Sequence, residues 1–583
     1  MRSSSRAATE PAAPTESRKE FVPVQLAVVL GAALPYLLRG RSGFASEDFV
    51  ILRQLASNSF ADLLRDNFTG PWLGLEMLDF YRPLSTLILK VLVILCGLDA
   101  EWISAVHALF HGACSLLIGR LVFRLLPKLG AMIGWSAAIV FAVHPLAPNT
   151  VAFIASFSTL YSTLFGLLAL DVVTRRAALS PLAVALFAAS MLCYEQAVVF
   201  PFLGAASLLL IEADARRIRW AWAVSVAVAV GYLAVRSLAV GAAVGGYEST
   251  RERLLAATPA ETVSAILENA ARVAVPSWQW QPSFLVLAVI TLGVATWAAA
   301  SVRSGGRLRE LAVPSFGALW WAVCAAPFGF ARIVPANARY TYMGIAGLVL
   351  LLCGLLGLSR RLAGRRASTV ILCLLSLGYL LALDLRLKEM RAASALAARV
   401  ADQTSASTRD VPLAVLRVPR FINGPRGEPV AQVLNWGLSD SLDALFDRSG
   451  RLTYPVDEVG ARALGPAAGQ GHLDVVRWSG KSLERAATAP LSECVESRLE
   501  GDLLTLNRDQ CAQCRYRLVV LSPVGDNVLE LRGESVALPA DTMTTMRALW
   551  VTPEGDFSLP VLAWVLRGEA EDLCTSKVHL VLE

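Results

Sequence analysis

The sequence predicts an α-helical polytopic membrane protein of about 11 transmembrane helices that ends in an extracytoplasmic, mostly β domain. Three observations predict it. Of 583 residues, 55% are hydrophobic and only 17% charged, with a mean hydropathy of +0.53, whereas soluble domains carry about 25% charged residues. Apolar runs fill residues 21–385, while residues 386–583 return to an ordinary mixture of charge, Pro and Gly. Finally, basic residues cluster in every second connection between the apolar runs, a topology signal of membrane helices.

Residues 1–20 are Ser, Ala, Pro and Glu with scattered Arg and Lys, too polar to bury a core, and read as a disordered cytoplasmic tail. A span needs about 20 apolar residues to cross roughly 30 Å of hydrocarbon. The expected spans are 21–38, 102–126, 131–146, 150–173, 178–194, 196–212, 219–240, 284–302, 312–330, 340–358 and 367–385. The first is a retained anchor, because many spans follow it. Basic clusters at Arg120, Arg124 and Lys128, at Arg175 and Arg176, at Arg216, Arg217 and Arg219, at Arg303, Arg307 and Arg309, and at Arg360, Arg361, Arg365 and Arg366 mark the cytoplasmic connections. The alternate connections, among them the loop 39–101, then lie outside with the C-terminal domain 386–583.

The apolar run 83–98 cannot be a simple crossing if residues 39 and 101 are both outside. Its length reaches only about 24 Å as a helix, and Lys90 near its middle would cost about 3 kcal/mol at the bilayer centre. It reads as a helix at, or dipping into, the outer face. The excess of basic residues, +6 net, lies in these topology clusters and not on a nucleic-acid-binding face. No nucleic acid partner is expected.

Several residue groups of chemical interest fall on the outer side. Ser46-Glu47-Asp48-Phe49 places two acids where the chain leaves the first span; a carboxylate there serves a hydroxyl acceptor as general base or is a solvated loop residue. Tyr81-Arg82-Pro83-Leu84 closes the same loop, with Pro fixing a helix start and Arg either gripping a phosphate or snorkelling at the interface. His107 and His111 stand one helical turn apart, the spacing of a metal pair, but no Cys or carboxylate completes a ligand set nearby and structural roles are the simpler reading. His144-Pro145 with Asn149 ends a span, Cys193-Tyr194-Glu195 makes a tight turn, and Arg339-Tyr340-Thr341-Tyr342 opens a span with a basic residue among aromatics.

In this order the groups resemble the multi-spanning C-type glycosyltransferases that use a lipid-phosphate sugar donor, the broad group containing protein O-mannosyltransferases and their tetratricopeptide-repeat relatives. An acidic pair follows the first span. Tyr81-Arg82-Pro83-Leu84 is similar to the family's tyrosine-arginine-proline-leucine signature, Ala105 to Leu117 to its histidine-bearing helix, and His144-Pro145 followed by Val151-Ala152-Phe153-Ile154 to its histidine-proline turn and the helix after it. Cys193-Tyr194-Glu195 resembles its serine-lysine-glutamate turn, and Arg339-Tyr340-Thr341-Tyr342 its arginine-tyrosine-leucine-tyrosine span opening. The resemblance covers residues 21–385. The chain departs from the pattern at Phe157 and Thr159, where the family has Arg and Asp, at Asn149, where an acid is common, and at Tyr194, where it has lysine.

The resemblance implies transfer of a sugar from a polyprenyl-phosphate donor to a glycan, lipid or protein acceptor at the outer face of a bacterial inner membrane. It implies Asp48 or Glu47 as catalytic acids, and Tyr81, Arg82, His144, Glu195, Arg339 and Tyr340 as substrate-binding residues. No cofactor is certain; a divalent metal is compatible with the resemblance but not indicated by the residues. The departures from the pattern equally fit a catalytically inactive relative that scaffolds envelope assembly. A transporter is the third reading, disfavoured by the scarcity of ionisable residues deep in the spans and the lack of a visible inverted repeat.

Six cysteines, Cys96, Cys114, Cys193, Cys324, Cys353 and Cys373, sit in apolar runs as small hydrophobes. The other four, Cys494, Cys511, Cys514 and Cys574, form an even set in a domain expected outside, which predicts two disulfides. A redox or metal role for Cys511 and Cys514 is the alternative reading. Strand-like stretches at 411–418, 515–521, 528–531 and 561–566 are bounded by Pro and Gly.

Overall fold

Proline, glycine and short polar residues punctuate the apolar two thirds into helices. A computed structural model describes residues 17–39, 43–74, 80–127, 130–211, 213–242, 308–325 and 335–406, isolated residues between 258 and 269, and segments of 413–580 that are mostly strands. The helices are α1 (Ser17–Arg39), α2 (Glu47–Ser57), α3 (Phe60–Thr69), α4 (Pro83–Cys96), α5 (Ala100–Leu125), α6 (Ala131–Ala142), α7 (Pro148–Val151), α8 (Phe157–Arg176), α9 (Pro181–Cys193), α10 (Val199–Leu210), α11 (Ala215–Val240), α12 (Leu308–Ala325) and α13 (Tyr342–Ser405). Their starts are set by local chemistry. Asp99 caps α5 by accepting from Glu101 N and Trp102 N, Ser180 caps α9 ahead of Pro181, and Asp214 caps α11, each satisfying backbone donors that have no partner inside the helix.

Among the described residues, five stretches are long and apolar enough to cross a membrane: Ala100–Leu125, Ile154–Arg176, Ala215–Val240, Ala336–Leu356 and Val370–Ser405. Shorter apolar helices accompany them. The chain is a multi-pass membrane protein. Each expected span overlaps a described helix except 284–302, which lies outside the described residues together with the end of 312–330.

Small residues set the helix crossings. A Cβ added to Gly119 of α5 would meet the Gly134 carbonyl of α6 at 2.8 Å, and one on Gly317 of α12 would meet the Gly347 carbonyl of α13 at 2.7 Å. Such close approach replaces the hydrophobic drive that lipid cannot supply. Ring and polar contacts give the sense of the packing: Gln25 of α1 meets Arg120 and Tyr36 meets His111, so α1 and α5 are antiparallel. The site-side ends of the helices therefore share one membrane face, and Arg120, Arg124, Arg175, Arg176 and Arg217 gather toward the other.

The last helix is helical over 64 residues, which as one rod would be about 96 Å long. It is not one rod. Thr150 donates to the Arg339 carbonyl at 3.4 Å just before its start, while the neighbouring Asn149 accepts from Arg386 at 3.2 Å. Those two contacts bring residues 339 and 386 to the same end of the bundle, so the chain turns back between them. The second limb then runs on to Ser405. Residues 386–405, placed by hydropathy in the β-rich domain, continue the helix and bury a stripe of Met390, Ala393, Ala397, Val400 and Thr404.

At the face opposite the site, Arg124 Nη1 reaches Asp171 Oδ1 at 2.7 Å and also donates to the Asp171 carbonyl and Thr174 Oγ1. Arg124→Met is expected to destabilise the fold by about 3–5 kcal/mol, because it leaves a buried carboxylate uncompensated, whereas Arg124→Met with Asp171→Leu recovers most of that loss. Thermal melts of the three proteins in one detergent check this; equal melts for the single and double variants would contradict it.

Between the first two spans, α2, α3 and α4 build a helical layer. Lys90, whose place in an apolar run argued against a crossing, donates to the Leu55 and Asn58 carbonyls at 2.5 and 2.9 Å at the end of α2. Its charge thereby meets the negative end of a helix dipole. Beyond Ala406 the described elements are strands. Leu413–Leu416 pairs in parallel with Thr453–Val456 and Asp474–Trp478, and an antiparallel sheet joins Gly525–Leu531, Cys514–Ser522, Met546–Pro553 and Val561–Leu566 in that order. The expected stretches 411–418, 515–521, 528–531 and 561–566 each overlap one of these strands. The disulfide expectation rests on side chains outside the described residues.

Candidate functional site

The turn between α1 and α2 is held in an uncommon shape. Ser46 has φ +49°, a region that favours glycine, and its N–H donates to the Val433 carbonyl at 2.8 Å. Asp48 is fully buried, its Oδ2 accepting from Ala45 N at 3.0 Å and its Oδ1 from Ala155 N at 2.7 Å. Asp48 is thus a staple between the α2 turn and the start of α8, and it does not line the pocket. Of the two acids that the resemblance implies as catalytic, Asp48 is held outside the lining by these two backbone donors. Each charge-assisted bond of this kind contributes about 1.5–3 kcal/mol, so Asp48→Ala is expected to reduce the yield of folded protein, and Asp48→Asn, which keeps one acceptor, to reduce it less. Size-exclusion profiles in detergent distinguish these outcomes from an isolated loss of activity.

Glu47, one position earlier, does face the pocket. Arg339 Nη2 donates to its Oε1 at 3.0 Å, and Nη1 lies 2.8 Å from Oε2. Arg339 sits in the short 3₁₀ turn Pro335–Thr341, with its guanidinium 5.1 Å from the Tyr340 ring and 5.3 Å from that of Phe153. The pair is anchored from the strand side as well, because Gln432 donates to the Ala336 carbonyl at 3.4 Å.

Arg82 forms the opposite wall. It precedes Pro83, which starts α4 without needing an N–H partner. Its Nε donates to Glu195 Oε2 at 3.0 Å, while Glu195 Oε1 accepts from Tyr81 N at 2.8 Å. Phe80, Tyr194 and Trp72 enclose the guanidinium, with ring centroids 4.1, 4.6 and 5.2 Å away. Burial opposes its charge, but Glu195 and the surrounding polar groups prevail and hold its pKa above the ordinary arginine value. Among the described residues the two terminal nitrogens of Arg82 make no hydrogen bond.

These groups meet in a cavity of about 30 Å³ lined by Glu47, Arg82, Arg339, Tyr340, Tyr194, Trp72 and Phe80, with Ser156, Ser158 and Thr159 on its remaining side. The lining joins Glu47, Arg82, Arg339 and Tyr340, and Glu195 supports it from behind. Tyr81 contributes its backbone, its buried ring lying 6.3 Å from that of Tyr232. His144 is not in the lining: it is buried, accepts from Leu146 N at 3.3 Å and packs edge-on to Tyr379 at 4.8 Å. His107 and His111 bond Tyr161 and Tyr342 at 2.8 and 2.7 Å. Among the described residues no group of three His, Cys, Asp or Glu is placed to hold a metal.

The positions that depart from the sequence pattern take defined places. Phe157 is buried between Trp72 and Tyr161, Thr159 lines the cavity, and the Tyr194 ring stacks on Arg82. Sequence reading missed Trp72, Phe80, Ser156 and Ser158; only the aromatic density beside Arg82 signalled the first two.

No protein-family model matches the chain and no curated protein matches it. Among solved structures it is similar to ArnT from Cupriavidus metallidurans in the apo state, 14% identical with a TM-score of 0.39, over 80% of this chain and 94% of that one. ArnT bound to undecaprenyl phosphate gives a TM-score of 0.37 at the same identity and coverage. The arabinosyltransferase EmbB from Mycobacterium smegmatis gives 0.29 at 14% identity, over 98% of this chain and 64% of that one. At these values the functional reading rests on the site's geometry.

Proposed function

We propose that the chain is a membrane glycosyltransferase that moves a sugar from a polyprenyl-phosphate donor to an acceptor hydroxyl on the outer face of a bacterial inner membrane, with the N-terminus cytoplasmic. One observation carries the reading: a buried, aromatic-caged Arg82 whose terminal nitrogens have no hydrogen-bond partner among the described residues shares a cavity with the carboxylate of Glu47. A guanidinium fork presented this way fits phosphate oxygens. Its aromatic cage suits the start of an isoprenoid tail.

In the reaction, the acceptor oxygen attacks the anomeric carbon and its proton passes to Glu47. A carboxylate has about four lone-pair sites, so one remains for that proton while Arg339 holds Glu47 in orientation. The bond from the anomeric carbon to the phosphate oxygen breaks, its electron pair stays on the phosphate, and Arg82 stabilises that charge. Tyr340, Ser158 and Thr159 offer hydroxyls to the sugar. The acceptor class is a glycan, lipid or protein.

A second reading, an inactive scaffold, is favoured by the cavity's size, since about 30 Å³ is room for about one water and both arginines already have carboxylate partners. The test is reconstitution of the full chain in vesicles with polyprenyl-phosphate sugars differing in the sugar. Release of polyprenyl phosphate with a matching sugar adduct supports the enzyme, and no release from any donor by folded protein supports the scaffold.

A further inference from the structure

At the membrane face opposite the site, α1, α5 and α6 leave a groove of about 210 Å³ between them. Its floor is the Gly119 and Gly134 crossing, where backbones touch and no side chain fills the space above. Its walls are Phe123, Ala131 and Trp135, and its head is Arg120 with Gln25. Arg120 lies five residues before the end of α5 at Leu125, about 7–8 Å inside the helix end. Trp135, a residue type enriched at membrane interfaces, lines the groove with it.

Among the described residues the two arginines of the groove are partnered differently. Arg124, one turn further on, is neutralised by Asp171 at 2.7 Å. Arg120 has no carboxylate partner among the described residues; its Nη2 donates to the Gln25 side chain at 3.3 Å. The groove therefore joins a cation without a carboxylate partner among the described residues to an apolar trough.

We propose that this groove binds an anionic phospholipid of that leaflet, its phosphodiester on Arg120 and Gln25 and one acyl chain along Phe123 and Trp135. Charge complementarity selects the occupant. The guanidinium takes phosphate oxygens, and a zwitterionic headgroup would bring its own cation against Arg120. The apolar walls offer nothing to a free phosphate ion, and of the two guanidiniums in the lining Arg124 already holds Asp171. A lipid seated there fastens α1 to the α5 and α6 crossing, independently of the function proposed for the site.

The test is native mass spectrometry of the full chain in detergent with added phosphatidylglycerol or phosphatidylcholine, with and without millimolar inorganic phosphate. Wild type is expected to retain phosphatidylglycerol about fivefold over phosphatidylcholine, the discrimination typical of one basic residue at a membrane surface. Arg120→Gln should remove that preference. Ala131→Trp, which fills the trough from an exposed wall position, should lower retention of both lipids. Circular dichroism establishes that each variant keeps its helices; if Arg120→Gln does not, wild type and Ala131→Trp still decide. Equal retention of the two lipids by wild type, a preference that survives Arg120→Gln, unchanged retention in Ala131→Trp, or displacement of phosphatidylglycerol by inorganic phosphate would each overturn the proposal.

Discussion

Arg82→Ala is expected to lower sugar transfer by roughly 10²–10³-fold, the usual cost of removing one well-placed group that stabilises developing charge. The loss should appear in kcat, because phosphate charge grows as the glycosidic bond breaks and only an interaction stronger in the transition state speeds the step. The same change leaves Glu195 without its cation, so a fall in stability would confuse the result. Arg82→Ala with Glu195→Gln separates the two effects: the amide still accepts from Tyr81 N, the buried charge is gone, and the melt should return toward wild type while transfer stays low. Arg82→Lys should recover only part of the rate, since an ammonium lacks the planar fork and stacks less well inside Phe80, Tyr194 and Trp72.

Glu47→Gln is expected to lower transfer by about 10²–10⁴-fold, the range attributed to a positioned general base. The substitution is close to isosteric, and its amide oxygen still accepts from Arg339, so the fold should persist. Donor binding should be retained or tightened, because Arg339 then loses its anionic competitor. That split between lost turnover and kept binding separates a base from a structural acid. Parallel loss of binding and turnover would make Glu47 a partner of Arg339 and nothing more. Asp48→Asn is the control, expected to act on folding and not selectively on the chemical step.

Much of this site was legible in the sequence because four short segments, 46–49, 81–84, 193–195 and 339–342, carry polar residues at the ends of apolar runs. Such groups have few places to go except an interface or a shared cavity. Which of two adjacent acids faces that cavity was not legible. Neighbours at a helix start point about 100° apart, and the choice is made by Ala155 N, 107 residues downstream. His144 is a similar case, since a histidine at a span end looks the same from sequence whether it lines a pocket or packs on Tyr379.

The end of the helical region was missed for a different cause. Hydropathy falls after Leu385, but Ala, Leu, Arg and Glu dominate 386–405 and no Pro or Gly interrupts them. Propensity therefore favours helix where hydropathy alone suggested a new domain. Arg386 shows why the extension matters. It reaches both Asn149 Oδ1 at 3.2 Å and the Val430 carbonyl at 2.8 Å, tying the last helix to the strand that adjoins the Ser46 turn.

The central claim is that Arg82 receives a lipid-linked phosphate in the cavity it shares with Glu47. Its most direct test is equilibrium binding of a polyprenyl phosphate and of the uncharged polyprenol of equal length to the purified chain, for wild type and for Arg82→Ala with Glu195→Gln. Wild type is expected to favour the phosphate by about 10–100-fold, consistent with charge-assisted hydrogen bonds of about 1.5–3 kcal/mol, and the double variant to lose most of that preference while binding the alcohol as before. Equal binding of phosphate and alcohol by wild type, or an undiminished preference in the variant, would contradict it.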